Sequence, residues 1–434
     1  MAKGTWARRG LTLKRDPAIP RALRVLMRRA DAALAQAVAQ PHERVRAVGG
    51  AVRDAFLGRA GGDLDLVVSA GRAEAFANEL AARAGTRVVP IGTAPRRVLK
   101  VPFRSHEIDV WEETEDPGTD LLRRDFTVNA LSFSLPGGTF ASAPGALADL
   151  KARRLAPPRP GVFLEDPLRV LRAARFLAEL PGFRIARRAV PELREAARFL
   201  RMVPAERRLV ELDKLLGAPA AARTRALRLL ERIGALQSLL LSSAPRERRG
   251  NASPGTAPRT RRGISLIARL DSTDPRVARA LLLLPLGRER ALDLLRKWKT
   301  SREEQRLASR LFALPLHGPR RTPTRREIAI WLRRLSPFLR ESLLFLSSAG
   351  DEGTRQLVRA LSPYLRRPAA LRRVLKPVRP LSLAEISSLL GLAEGPELGR
   401  ALEAFDLALA SGEVRGARAA RAWLGRASKR RARG

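Results

Sequence analysis

Asp63 and Asp65 are separated by one leucine in the stretch Asp63-Leu-Asp-Leu-Val-Val68. In a strand, side chains alternate faces, so the two carboxylates point one way while Leu64 and Leu66 point the other. Paired carboxylates repel unless a cation lies between them, and hard oxygen ligands of this kind suit Mg²⁺, which keeps waters and substrate phosphates as its remaining ligands. Upstream, Val45 to Val48 reads as a strand that meets Gly49-Gly50, and a short helical run follows to Leu57. Twin glycines let backbone N–H groups approach a phosphate where the helix begins, and the helix dipole favours an anion there. A phosphate cradle beside a metal-binding acid pair is the equipment of phosphoryl or nucleotidyl transfer.

Two later stretches carry further chemistry. Arg123-Arg-Asp-Phe-Thr-Val-Asn129 offers an Arg, an Asp and an Asn that can pair with one another or with sugar hydroxyls. Glu165-Asp-Pro-Leu-Arg169 opens an amphipathic helix with Arg169, Arg172 and Arg175 as a basic stripe at three-residue spacing. Asp166 can cap that helix. It can also accept from the exocyclic amino group of cytosine or adenine while Arg169 donates to the ring nitrogen, a pattern that uracil and guanine reverse.

The three stretches occur in order, and together they resemble the signature of the class II tRNA nucleotidyltransferases and bacterial poly(A) polymerases, within the polymerase-beta nucleotidyltransferase superfamily. The resemblance covers residues 44 to about 216. It implies an α+β head with a mixed sheet, followed by an all-helical neck, body and tail. It also implies CMP or AMP addition to tRNA 3′ ends from CTP and ATP, with Mg²⁺ on Asp63 and Asp65. Asp109 matches the family's third acidic residue, with Glu107 as the other choice; Asp109 would serve as ligand or base. Gly49, Gly50, Arg53, Arg124, Asp125, Asn129, Asp166, Arg169, Arg172 and Arg175 match its nucleotide-binding positions.

Two departures bear on specificity. In many relatives a long mobile segment precedes the Arg-Arg-Asp stretch and is associated with the change from adding C to adding A, whereas here only Glu115 to Leu122 intervenes. Ser142-Ala-Pro-Gly-Ala146 replaces the family's Asp-Pro-Phe-Gly-Gly hinge motif, although Asp149-Leu-Lys151 is kept. Full CCA addition, CC addition, A addition and poly(A) synthesis all remain open at this level, and so does a non-catalytic RNA-binding descendant.

The elements that position this chemistry can be read along the chain. Residues 1–20 form a basic arm, 21–150 the head, beginning with a helix over 21–40, and 151–240 a helical neck. A charged linker rich in Pro, Gly and Ser follows at 241–263, then an RNA-binding helical body over 264–376 and a tRNA-binding tail over 377–434. Arg207 and Glu211, at i and i+4, are expected to brace the neck as an ion pair. Gly395-Pro396 reads as an approach for an RNA backbone or as a plain turn between helices.

Lys and Arg total 83 against 43 Asp and Glu in 434 residues, a net charge of +40 that calls for a polyanionic partner. There are no cysteines, which excludes disulfides and thiol chemistry. No apolar run reaches membrane-spanning length and no secretory signal is read, so a cytoplasmic protein is expected.

Overall fold

In the computed structural model the described residues are 44–59, 63–92, 97–103, 106–113, 116–135, 139–240, 256–318 and 321–431, with isolated helical or coil positions among 21–39. The expected arm at 1–20 lies outside them, as do 241–255 of the expected linker. Residues 256–263 do not belong to a linker: Thr256–Ala268 is a helix with Pro258 in its first turn, where proline removes no helical hydrogen bond.

Chain contacts group 1–211 with 229–239 as one unit, and 212–228 with 240–434 as a second. The first unit is built on seven strands in the order β3-β4-β5-β2-β1-β6-β7. These are β1 (Val45–Val48), β2 (Leu64–Val68), β3 (Val89–Ile91), β4 (Val98–Phe103), β5 (His106–Glu112), β6 (Leu131–Leu135) and β7 (Phe140–Ser142). β2 and β5 run parallel while every other pair is antiparallel, so the sheet is mixed, as the α+β expectation requires. Helix α1 (Gly50–Phe56) follows the glycine corner and packs on β1, β2 and β6. Helix α2 (Ala73–Ala84) lies on β4 and β5.

Leu64, Leu66, Ile108 and Val110 are fully buried on one face of β2 and β5, with Phe76 and Leu80 of α2 also in the core. Burying each such side chain stabilises by about 1.5–3 kcal/mol, and a one-residue slip would send all of them to the opposite face. The apolar alternation therefore dictates where the acids between them point. A cluster of Phe56, Phe133 and Phe140 holds α1 against β6 and β7.

Helix α3 (Pro117–Arg123) starts four residues after β5, its first N–H groups capped by Asp116. A 3₁₀ turn at Thr127–Asn129, α4 (Ala146–Lys151) and the short parallel pair β8 (Arg154–Leu155) and β9 (Arg184–Ile185) come next. The unit continues with α5 (Val162–Glu165), α6 (Arg169–Glu179), α7 (Val190–Ala197) and the start of α8 (Ala205–Leu216).

The second unit is helical throughout its described residues. Leu332, Leu343, Leu346, Leu357 and Leu361 centre one apolar cluster, and Ile386, Phe405 and Leu424 another. Gly391 and Gly395-Pro396 end one helix and start the next, which is the turn reading of that stretch.

Candidate active site

Strand register sets the acid row. Asp65 on β2 lies opposite Asp109 on β5, and Asp109 lies opposite Lys100 on β4. Lys100, Asp109 and Asp65 therefore stand side by side on one sheet face, away from the buried Leu64 and Leu66. Asp63, just before β2, is exposed, and its carboxylate accepts from the Glu107 N–H at 3.1 Å.

The Asp65 carboxyl is pushed up to about 6, first by burial and then, against Arg124, by the negative charges of Asp109 and Asp63. Among the described residues it has no hydrogen-bond donor. A carboxylate in that state is stabilised by a cation. Lys100 supplies one nearby: its ammonium donates to Glu107 at 2.7 Å and to the two oxygens of Asp109 at 2.9 and 3.2 Å. Among the described residues no three His, Cys, Asp or Glu side chains gather as a metal site by themselves. Asp63 and Asp65 thus present a two-carboxylate set that leaves the other positions of an ion to water and phosphate oxygens, which fits a hard divalent cation.

Gly49 has φ +69°, a left-handed conformation that disfavours any residue with a Cβ. A Cβ there would stand 3.2 Å from the Arg124 guanidinium and 3.5 Å from the Asp65 carboxylate, so the corner is also tight in space. No side chain caps the first N–H groups of α1.

The other expected nucleotide-binding residues form an internal network. Arg53 is buried, pairs with Asp54, and donates from Nη1 to Asn129 Oδ1 at 2.6 Å. Asn129 donates in turn to Asp125, whose carboxylate also takes the Phe126 N–H and Arg172 Nε at 2.8 Å. Burial would raise the Asp125 carboxyl, but Arg172 and these donors outweigh it and hold it below the usual range. Arg172 is held above its usual value by Asp125 and Glu211 against its own burial.

Asp125 therefore pairs with Arg172 on α6, 47 residues along the chain. Arg124 pairs with Asp120 one helical turn back. Arg207 pairs with Asp166 at 3.1 Å, and Glu211 takes Arg175 at 2.7 Å and Arg172 at 3.5 Å, so the expected Arg207–Glu211 brace does not form. Glu211 faces α6, where two guanidiniums compete for it.

Asp166 caps the turn before α6 by accepting the Leu168 N–H. Arg169 donates to the carbonyls of Val162 and Arg123 and is lowered by burial despite nearby Asp125 and Asp166. Asp166 and Arg169 are both half-buried at the start of α6, each oriented by protein contacts.

Lys100 carries no motif and is not legible from the sequence as a site residue. The signal for Lys100 is the antiparallel pairing of β4 with β5, which sets residue 100 opposite 109.

A mixed sheet whose adjacent strands present acids beside a glycine corner, with an arginine-bearing helix behind, defines a nucleotidyltransferase head. Residues 45–156 match the model of the "Poly A polymerase head domain" and 182–245 that of the "Probable RNA and SrmB- binding site of polymerase A". The chain is 34% identical over 420 residues to a CC-adding tRNA nucleotidyltransferase of Thermus thermophilus, covering 87% of this chain and 92% of that protein. It is 36% identical over 189 residues to an A-adding tRNA nucleotidyltransferase of Aquifex aeolicus, covering 40% of this chain and 23% of that one. In fold it resembles the Thermotoga maritima CCA-adding enzyme solved with tRNA, at a TM-score of 0.65 and 18% identity, covering 94% and 98% of the two chains. The chain belongs to the family of tRNA nucleotidyltransferases and poly(A) polymerases, enzymes that generally use a divalent metal.

Proposed function

We propose that this enzyme adds cytidylate residues to the 3′ end of tRNA, stopping after CC. One observation carries the reading: β5 ends at Glu112 and α3 begins at Pro117, so only four residues separate the acidic strand from the helix that leads into Arg124, where a long segment would be needed for the change to adding A. The extended likeness to a CC-adding relative supports the same choice.

In this reading Asp63 and Asp65 hold Mg²⁺, which supplies the Lewis-acid charge that activates the RNA 3′-hydroxyl and steadies the triphosphate. The N–H groups at the start of α1 receive phosphate oxygens, and Arg124 lends positive charge beside them. Asp166 and Arg169 read the base by accepting from the amino group and donating to the ring nitrogen. Arg53, Asn129, Asp125, Arg172 and Arg175 act behind them by fixing the 3₁₀ turn and α6. Asp109, anchored by Lys100, contributes charge at the reacting centre. Among the described residues no helix is long and apolar enough to cross a membrane.

The test uses tRNA transcripts ending before the tail, after one C and after two, each given CTP or ATP with Mg²⁺. Two, one and zero C additions are expected, and no A. Extension of the CC end by ATP would replace CC addition with full CCA addition. Long A tracts on unrelated RNA would indicate poly(A) synthesis.

A further inference from the structure

The Arg124 guanidinium is held from two sides. Its Nη2 donates to Asp120 Oδ2 at 2.9 Å, one helical turn back on α3, and its Cζ stands 5.9 Å from the centre of the Trp111 ring. Trp111 lies two residues after Asp109 on β5, opposite Val67 of β2, so its side chain is on the same sheet face as the acid row. At the other edge of the guanidinium, Nη1 is 3.2 Å from the point where a Cβ on Gly49 would lie. Asp65 Oδ2 is 3.5 Å from that same point.

Trp111 and Asp120 come from different elements, and the connector between those elements is itself pinned. Glu113, the first residue after β5, accepts from Arg46 Nη2 at 2.8 Å, and Arg46 is buried. Asp116 closes the connector by capping α3. With both ends fixed, four residues set the separation of the ring from the Asp120 carboxylate.

An arginine side chain is long and rich in rotamers, and a loose one at this corner would be drawn onto the Asp65 carboxylate. A half-buried indole offers the strongest aromatic face for a cation, and a carboxylate on the far edge fixes the direction in which the planar fork points.

We propose that Trp111 and Asp120 are positioning residues for the incoming nucleoside triphosphate: they hold Arg124 with one edge toward the phosphates at the Gly49 corner and away from Asp65. The inference rests on the proposed placement of the triphosphate at that corner. Both residues act through Arg124. Because its guanidinium is ordered in advance, nucleotide binding need not fix it.

The test measures CTP binding to the full-length protein by calorimetry at a fixed Mg²⁺ concentration, a reading that needs no turnover. Trp111→Ala and Asp120→Asn are each expected to raise the Kd for CTP about threefold to fivefold, the range for one cation–π contact or one partly exposed ion pair. Trp111→Phe keeps a ring beside the guanidinium and should recover most of the loss. In initial-rate measurements KM for CTP should rise while KM for tRNA stays where it was.

The deciding comparison is made in an Arg124→Gln background, where neither substitution should weaken CTP binding further. Effects that add in full to that of Arg124→Gln would overturn the proposal, because the two residues would then act independently of the guanidinium. An unchanged Kd in both single variants would overturn it as well. If Trp111→Ala fails to fold, Asp120→Asn with and without Arg124→Gln carries the decision. Should the parent bind CTP yet extend no tRNA, the proposed reaction falls while the same binding cycle still decides the clamp.

Discussion

At the residue scale the decisive side chain is Lys100. It sits in the same cross-sheet row as Asp65 and Asp109 and holds both oxygens of Asp109. Burial alone would lower its ammonium, but hydrogen bonds to Glu107 and Asp109 more than compensate and hold it above the ordinary lysine value. A fixed positive charge therefore competes with any metal ion for the carboxylates beside it. Lys100→Met removes that charge and leaves Asp109 free, making the acid row more negative. A unit charge several ångströms away in a partly solvated site is worth on the order of 1 kcal/mol, so the half-saturating Mg²⁺ concentration for CMP incorporation should fall about fivefold. A metal titration of initial rates checks this. An unchanged or higher requirement would mean that Lys100 holds Asp109 in place for the ion.

At the element scale the site depends on α8 bracing α6. Glu211 is buried and joins Arg175, also largely buried, at 2.7 Å, while Arg175 and Arg172 both lie over the Phe176 ring. Removing one partner of a buried pair leaves the other charge uncompensated, at a cost of about 3–5 kcal/mol. Glu179 still pairs with Arg175 and Asp125 with Arg172, so Glu211→Ala should cost less, about 2 kcal/mol, and lower the melting temperature by roughly 4–8 °C. Its KM for CTP should rise as well, because Arg172 also positions Asp125. A melting curve with no shift would show that α6 is held by its apolar face alone.

These partners mark the limit of what the sequence could reveal. The glycine corner, the acid pair and the Asp166–Arg169 spacing are local patterns, each set by the period of one strand or one helix turn. The pairing of Arg207 with Asp166 spans 41 residues, and that of Arg172 with Asp125 spans 47. The local i,i+4 rule favoured Arg207 with Glu211, and tertiary packing overrode it. The helix at Thr256–Ala268 was masked by the Pro, Gly and Arg content of its surroundings, although its apolar Ile264 and Ile267 are buried. Lys100 showed nothing in one dimension because its role comes from strand register.

At the scale of the whole molecule, a chain of net charge +40 is stabilised where its few buried acids meet arginines, and Asp213 in the second unit is an instructive exception. Arg279, almost wholly buried, donates to Glu304 at 2.7 Å but stands 3.6 Å from Asp213, one of whose oxygens has no donor. Burial, opposed by Arg279 and reinforced by Glu304 and Asp274, pushes the Asp213 carboxyl up to about 6. An acid whose folded pKa exceeds its unfolded value binds protons more tightly when folded. Its contribution to stability is complete below pH 4 and is lost as pH rises through about 6. Asp213→Asn keeps an acceptor toward Arg279 without the charge. Its melting temperature should match the parent near pH 4 and exceed it above pH 7 by a few degrees, for a gain of about 1–2 kcal/mol after allowance for partial exposure. Thermal melts at half-unit steps from pH 4 to 8 decide the matter. A variant less stable than the parent at pH 7.5 would show that the Asp213–Arg279 attraction outweighs the cost of keeping that carboxylate ionised in the interior.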